Sequence, residues 1–527
     1  MTNTIACIEK SDVILVTGSN TTENHPVISS FMKRAVKFKD AKVILVDPRR
    51  VKLAEHAHKY LRQNLGTDVA WINGMIYVII NEGLYDKKFV EERTENFEEL
   101  KKAVEKYKPD YVEQITGIPS RDLTESARMF ANSKNGSIVY CMGITQHTTG
   151  TDNVKSLANL SMICGHLGKE GGGVNPLRGQ NNVQGACDMG GLPNVFMAYQ
   201  PVIDEAARKK LEEAWGVENL SPNPGLVVTE MIPKAHSGEV KAMYIIGENP
   251  LVSDADLGHV EESLKHLDFL VVQDIFLNET AQAADVVLPS ACFAEKEGTF
   301  SNTERRVQRV RKAVNPPGQA KDDWWITCEI GTRMGYEMKY QNSEEIFEEI
   351  RKVTPSYAGI TYDRIEKEGI HWPCPNIEHP GTPILHIGKF TRGKGVLHPI
   401  EYTPPAEQTD DEYPFYLTTG RLLYQYHSGT MTMKTEGLND RAPGTYVEIS
   451  PQDAAKLNLI DGEKVKVASR RGEIKADVKI SDKASDGTVF LPFHFAEAAA
   501  NRLTIGALDP LSKIPAFKVC AVNVSKS

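Results

Sequence analysis

The chain has 527 residues, enough for several domains, and a quarter of them are charged, an ordinary globular composition. Its net charge of −9 excludes broad electrostatic binding to nucleic acid, and no apolar run is long enough to cross a bilayer. Eight scattered cysteines, none in a C-x-x-C pair, exclude a disulfide framework and argue against a zinc or iron–sulfur site built by these residues.

Residues 11–20, SDVILVTGSN, are an apolar run ending in Gly-Ser-Asn, the pattern of a buried parallel strand that opens into a tight turn. A helix follows over Pro26–Phe38. A second buried strand, AKVILVDPRR (Ala41–Arg50), ends in Asp47-Pro48-Arg49. This is a βαβ unit with ligand-type residues beyond both strands. Helical patterns cover 68–81, 86–92, 97–106 and 121–131, before a strand at 137–141 and the turn MGITQHTTG.

An amphipathic helical run, Val154–Leu167, leads into GHLGKEGGGVNPLRGQNNVQGACDMGG, Gly165–Gly191. This stretch is too rich in glycine to hold a helix or strand by itself. It offers closely spaced backbone N–H groups, the carboxamides of Asn175, Gln180, Asn181, Asn182 and Gln184, and the guanidinium of Arg178. Such groups hold a large, polar, anionic ligand by its edges. A solvent loop that tolerates glycine would have the same composition.

The βαβ design then returns. KAMYIIGENP (Lys241–Pro250) is a strand ending in Gly247-Glu248-Asn249. A helix near 259–266 precedes the strand FLVVQDIF, with Gln273 and Asp274 at its end, and DVVLPS (Asp285–Ser290) is a third short strand. One strand-end Asp is as well explained by a turn or a helix cap; the matched pair points to two nucleotide halves. Neither half carries G-x-G-x-x-G, and no Walker sequence is present, so an ordinary NAD site and a P-loop are excluded.

Residues 293–410 are less regular, with Arg305 and Arg306 amid mixed charge and an amphipathic helix over 321–334 with Asp322 or Asp323 near its start. From 413 to 524 the pattern is short strands (414–419, 464–469, 473–480, 487–492) with one helix capped by Ser450, which suggests a barrel. The fold class is therefore α/β: two doubly wound, Rossmann-like α/β domains and a C-terminal β-barrel. The expected divisions are 1–178, 179–292, a connecting segment 293–410, and 411–527.

The motif VNPLRGQNNVQGACDMG (Val174–Gly190) is the most specific in the chain. With VILVDPRR, GITQHTTGTDN, IIGENP, QDIFLNETAQAADVVLPS, EKEGTFSNTERRVQ and ALDPLSKIPAFKVCAV, it resembles molybdopterin oxidoreductases of the dimethyl-sulfoxide-reductase family, above all formate dehydrogenase alpha subunits. The resemblance covers essentially the whole chain. It implies two molybdopterin guanine dinucleotides (bis-MGD) chelating one molybdenum or tungsten, with a barrel of the double-psi type over them. By motif position, Gly18, Asn20, Asp47, Arg49, Gly143, Gln146, Gln180, Gly247, Asn249, Gln273, Asp274, Ser290 and Asp323 should line the cofactor arms. Thr419, Arg421, Gln425, Asn501 and Lys518 are the barrel's candidates. Gln425 stands where the selenocysteine enzymes carry His, and nearby His427 is either its substitute or a turn histidine.

The resemblance further implies that Arg178 binds formate, because a guanidinium holds a small carboxylate by two parallel hydrogen bonds. A clamp on cofactor phosphate is the other role open to it. Formate would leave as CO2, with two electrons entering the metal–pterin unit. The family's [4Fe–4S] domain and its catalytic Cys or selenocysteine, followed by His, are expected upstream of Met1. A gene split at a UGA codon accounts for that start, and a two-polypeptide enzyme is the alternative. This chain alone is then not expected to turn over formate. Expected partners are the cluster domain and electron-transfer subunits, iron–sulfur, NAD-linked or hydrogenase-linked, in the cytoplasm, since no signal peptide is present. Competing readings are a nitrate or arsenic oxyanion reductase and a non-catalytic scaffold as in complex I; the dense Gly, Asn, Gln and Asp set argues against the scaffold.

Overall fold

The computed structural model describes residues 1–527 and divides into two compact units. Unit one is 1–179, 252–260 and 384–527; unit two is 180–251 and 261–383. The segment 293–410 is thus shared between them, with the division at 383/384.

In unit one, five strands form a parallel sheet: β1 (Val13–Thr17), β2 (Lys42–Val46), β3 (Lys59–Leu61), β4 (Gly136–Tyr140) and β5 (Gly173–Pro176). Their order is β3-β2-β1-β4-β5. Central β1 sets Val13 opposite Lys42 on one side and Gly136 on the other. The central strands β1 and β2 are almost continuously apolar because both faces are covered. Helix α1 (Pro26–Lys39) packs on Ile14, Val16, Val43 and Leu45. Helices α2 (Asp68–Asn81), α3 (Ser120–Ala131) and α4 (Gly150–Ile163) pack on Leu15, Ile44, Val46 and Ile138. The chain winds outward from β1 to β3 and then crosses to β4 on the other side of β1. The strand order therefore reverses between β1 and β4, where open α/β sheets leave a crevice beyond the strand ends.

The glycine-rich stretch holds more regular structure than its composition predicts. Gly173–Pro176 is the edge strand β5, buried through Asn175, and Val183–Asp188 is a short helix, α5. A partner strand explains the first. β5 needs only one neighbour, β4, and the φ of +102° at Gly173 is one that glycine tolerates.

Unit two carries three parallel strands, β6 (Ala242–Ile246), β7 (Phe269–Asp274) and β8 (Val286–Pro289), in that order. Beyond them lie an antiparallel hairpin, β9 (Gly298–Ser301) and β10 (Arg306–Val310), and helix α6 (Asp323–Arg333). A separate core gathers Val307, Phe347, Tyr357, Ile360 and Tyr362.

The chain ends in a closed six-stranded barrel: β11 (Phe415–Gly420), β12 (Tyr446–Ile449), β13 (Lys464–Ala468), β14 (Glu473–Ile480), β15 (Thr488–Pro492) and β16 (Cys520–Lys526). It runs β11-β15-β12-β14-β13-β16, with β11/β15 and β12/β14 parallel. Ser450 caps its helix as expected, accepting from Asp453 N at 3.1 Å. The two α/β sheets and the barrel are the architecture read from the sequence. No helix is long and apolar enough to cross a membrane.

Candidate functional site

A cleft opens in unit one where the strand order reverses, and encloses about 950 Å3 with its mouth included. The loops after β1 and β4 meet backbone to backbone at its floor: Gly143 N donates to Gly18 O at 3.0 Å. A Cβ on Gly18 would lie 2.6 Å from Ile144 N, and Gly18 has a φ of +56°, so only glycine suits the position. Gly18, Asn20, Asp47, Arg49, Gly143 and Gln146 line the cleft from the sheet side, and Thr419, Arg421 and Lys518 from the barrel. Nine of the residues singled out from the sequence therefore share one cavity.

Lys518 is buried against the barrel, its Nζ donating to Thr419 O at 2.7 Å. Burial, reinforced by Arg421, pulls its pKa down to about 8. Burial pushes the Asp47 carboxyl up to about 7, against the Arg49 backbone N–H that donates to it at 3.0 Å. Two cations crowded in a low-dielectric pocket raise each other's cost of charge, and an anionic ligand relieves it. Arg49 points its guanidinium elsewhere, into a bidentate pair with fully buried Glu448 at 2.7 and 2.9 Å.

The cleft also holds residues that the sequence did not single out. Asp68 opens α2 and lies 3.9 Å from His147. Burial raises the Asp68 pKa and lowers that of His147. Gln63 and His25 line the wall. Three side-chain atoms in this lining are buried without a hydrogen-bond partner: Asn20 Oδ1, Gln63 Oε1 and His25 Nδ1. Asn20 gives its amide N–H to Glu23 at 2.9 Å, which turns the oxygen the other way. Buried polar groups are rarely left unpaired, so this lining suits a ligand bearing N–H or O–H donors.

Arg178 is exposed, just past the end of β5 and outside the cleft lining. Its carbonyl oxygen accepts from His25 Nε2 at 2.7 Å. The next residue, Gly179, backs onto Arg421: a Cβ there would sit 2.9 Å from both terminal nitrogens of that guanidinium.

In unit two, the carboxyl ends of β6–β8 gather Gly247, Asn249, Gln273, Asp274, Ser290 and Asp323. Gly247 N donates to Gln273 O at 2.9 Å, and Gln273 Nε2 to Asp323 Oδ1 at 2.6 Å. Lys296 pairs with Asp323. Asp274 caps its own turn, accepting from Ile275 N at 2.6 Å and Asn278 Nδ2 at 2.9 Å, and burial raises its pKa. Ser290 N donates to Asp274 O at 3.1 Å, and Asn249 Oδ1 accepts from the Thr280 hydroxyl at 2.7 Å.

Four sequence candidates lie apart from these groups. Gln425 is buried within its own loop, accepting from the Thr432 hydroxyl at 2.6 Å. His427 stands edge-on to Phe493, at 5.8 Å between ring centroids. Asn501 donates to the carbonyls of Val252 and Ser253 at 3.1 and 2.9 Å. Gln180 opens unit two, its carbonyl accepting from Val183 N at 3.4 Å.

The family described as Molybdopterin oxidoreductase matches residues 1–333, and the Molydopterin dinucleotide binding domain matches residues 415–521. The chain belongs to the molybdopterin oxidoreductase family. It is similar to the F420-dependent formate dehydrogenase subunit alpha of Methanocaldococcus jannaschii, 54% identical over 530 residues that cover all of this chain and 78% of that protein. It is 41% identical to formate dehydrogenase H of Escherichia coli, over 99% of this chain and 74% of that protein. Among solved structures, acetylene hydratase from Pelobacter acetylenicus superimposes with a TM-score of 0.80 over 99% of this chain and 81% of its own; at 23% identity that likeness shows the shared fold alone.

Proposed function

We propose that the chain is the cofactor-bearing part of a formate dehydrogenase catalytic subunit that interconverts formate and CO2 on bis-MGD with molybdenum or tungsten. The observation that carries this reading is the chemistry of the cleft. Lys518 and Arg421 supply positive charge for a dinucleotide's phosphates. Asn20, Gln63 and His25 offer lone acceptors for its N–H and O–H groups. The Gly18–Gly143 contact brings the loops after β1 and β4 together backbone to backbone at the floor of the cleft, beyond the strand ends where such ligands lie. Asp47 would accept from a ribose hydroxyl, and the Gln273–Asp274–Asp323 group would hold a second arm in the same way.

When bound, the metal–pterin unit supplies a two-electron acceptor. Arg178 binds formate through two parallel N–H···O bonds and fixes the direction of its C–H bond. Overall, formate loses a proton and two electrons and becomes CO2. In this reading the Cys or selenocysteine ligand and the [4Fe–4S] cluster are supplied by a further part of a cytoplasmic enzyme. The M. jannaschii relative is named F420-dependent, which makes an F420-linked subunit the electron partner to test before NAD- or hydrogenase-linked ones.

The test is to purify the holoenzyme, measure bound pterin and metal, and assay formate-dependent reduction of a viologen dye. Bound pterin with formate oxidation is the expected result. Bound pterin with an oxyanion as the only substrate would move the chain to another branch of the family. The absence of bound pterin would sink the reading in favour of a scaffold.

A further inference from the structure

His25 touches both the cleft and Arg178, and its two ring nitrogens face different demands. A carbonyl oxygen can only accept, so the 2.7 Å contact to Arg178 O requires the proton on Nε2. The neutral ring then carries its lone pair on Nδ1. That atom is buried and has no partner in the protein, on a residue that lines the cleft. Burial, opposed by the Arg178 carbonyl and aided by Arg421, lowers the His25 pKa and keeps the ring neutral.

We infer that His25 is a positioning residue that ties the cofactor to the substrate arginine, with Nδ1 accepting a hydrogen bond from an N–H or O–H of the arm in the cleft while Nε2 holds the backbone of Arg178. The inference rests on the functional reading above and deepens it.

The surroundings make the ring a stiff link. His25 is followed by Pro26 at the first position of α1, which fixes the chain direction there. Arg178 is the other end of the link. Its carbonyl is held by His25, and Gly179 is backed by Arg421 and Met142, each within 3 Å of where a Cβ would stand. A shift of the ring therefore moves the backbone that carries the guanidinium. Occupying the cleft fixes the ring and so fixes Arg178, and an ordered Arg178 in turn favours the occupied cleft.

Two near-isosteric substitutions separate the halves. An Asn amide reaches the place of Nδ1, and a Gln amide reaches the place of Nε2. In the holoenzyme, His25→Asn should keep the pterin content of wild type and raise the formate KM by about 2- to 12-fold, the range for one lost hydrogen bond, with kcat nearly unchanged. His25→Gln should keep the formate KM and lose pterin faster, read by fluorescence of the oxidised pterin released per chain over time. Two outcomes overturn the inference: neither variant moving either quantity, or both variants lowering pterin content and melting temperature together, as a purely structural role would. The wild type, assayed alongside, keeps the two claims apart. A pterin-free wild type defeats the functional reading, whereas a loaded, active wild type beside two silent variants defeats only the role of His25.

Discussion

Arg49 closes a bidentate ion pair on Glu448, N···O 2.7 and 2.9 Å, and lays its guanidinium 4.0 Å from the centre of the Phe490 ring. One partner follows β2 and the other lies within the barrel strand β12, so the pair couples sheet and barrel across unit one. Glu448 is fully buried, so removing only the arginine leaves a charge with no compensation. Arg49→Ala is expected to cost about 3–5 kcal/mol in urea unfolding, and the double substitution Arg49→Met with Glu448→Leu much less. Equal losses in the single and double variants would show that the pair contributes no coupling.

Replacing Arg178 by Lys removes the planar fork and leaves a point charge. Formate kcat/KM should fall about 10- to 150-fold, the equivalent of 1.5–3 kcal/mol for charged hydrogen bonds, with pterin content unchanged. A parallel loss of pterin would instead make Arg178 a cofactor clamp.

Asp47 and Lys518 give the ligand-free chain a pH dependence of known sign. Between about pH 4 and pH 7 the folded state holds the Asp47 proton that the unfolded state has released, so stability falls as pH rises through that window. Lys518 behaves in mirror image. Below about pH 8 the folded state carries a charge that burial disfavours, and stability recovers as pH climbs from about 8 toward the free lysine value near 10.5. The empty chain should therefore be least stable between about pH 7 and 8. Asp47→Asn should raise its stability at pH 7.5 by about 1–3 kcal/mol and flatten the acid limb, while weakening pterin retention. Urea midpoints at pH 5 and 7.5 report both.

Asp188 in unit two is fully buried and accepts four hydrogen bonds: from Gln184 at 2.8 Å, Tyr199 at 2.9 Å, Tyr357 at 2.6 Å and Trp372 at 2.6 Å. An amide in its place turns an N–H₂ toward two of those donors. Asp188→Asn should destabilise unit two by about 2–3 kcal/mol, visible as an earlier tryptophan fluorescence transition. An unchanged transition would mean that the network does not hold this unit together.

The sequence made Gly18, Asp47 and Gly143 visible because each ends a continuously apolar strand, and strand ends of a parallel sheet are where polar residues have work other than solubility. Asp68, His147, Gln63 and His25 were not visible. They sit at a helix start, in a turn, after a strand and before a helix, where acids, amides and histidines are common for local reasons; only the reversal of strand order brings them to one wall. β5 was hidden by Gly173 and Asn175, which are buried without a hydrophobic signature. The hairpin β9–β10 was hidden by Arg306, Gln308 and Arg309, since a strand without period-two apolar alternation resembles a charged loop when its partner is unknown. Gln425 illustrates the opposite case. Its motif position suggested the cofactor, but its side chain closes its own loop.

The cleft is made from the two ends of unit one, and that has a consequence for how the protein is born. About 470 residues separate Asp47 from Lys518. At ribosomal speeds of 5–20 residues per second, roughly 25 to 95 s pass between the synthesis of one wall and that of the other. During that interval the sheet can assemble, but the nascent chain has no pocket to fill. Ligand loading must follow translation of the barrel, onto a chain whose empty pocket holds opposed burial costs. A window of this kind is where a dedicated insertion factor or a protease would meet the protein.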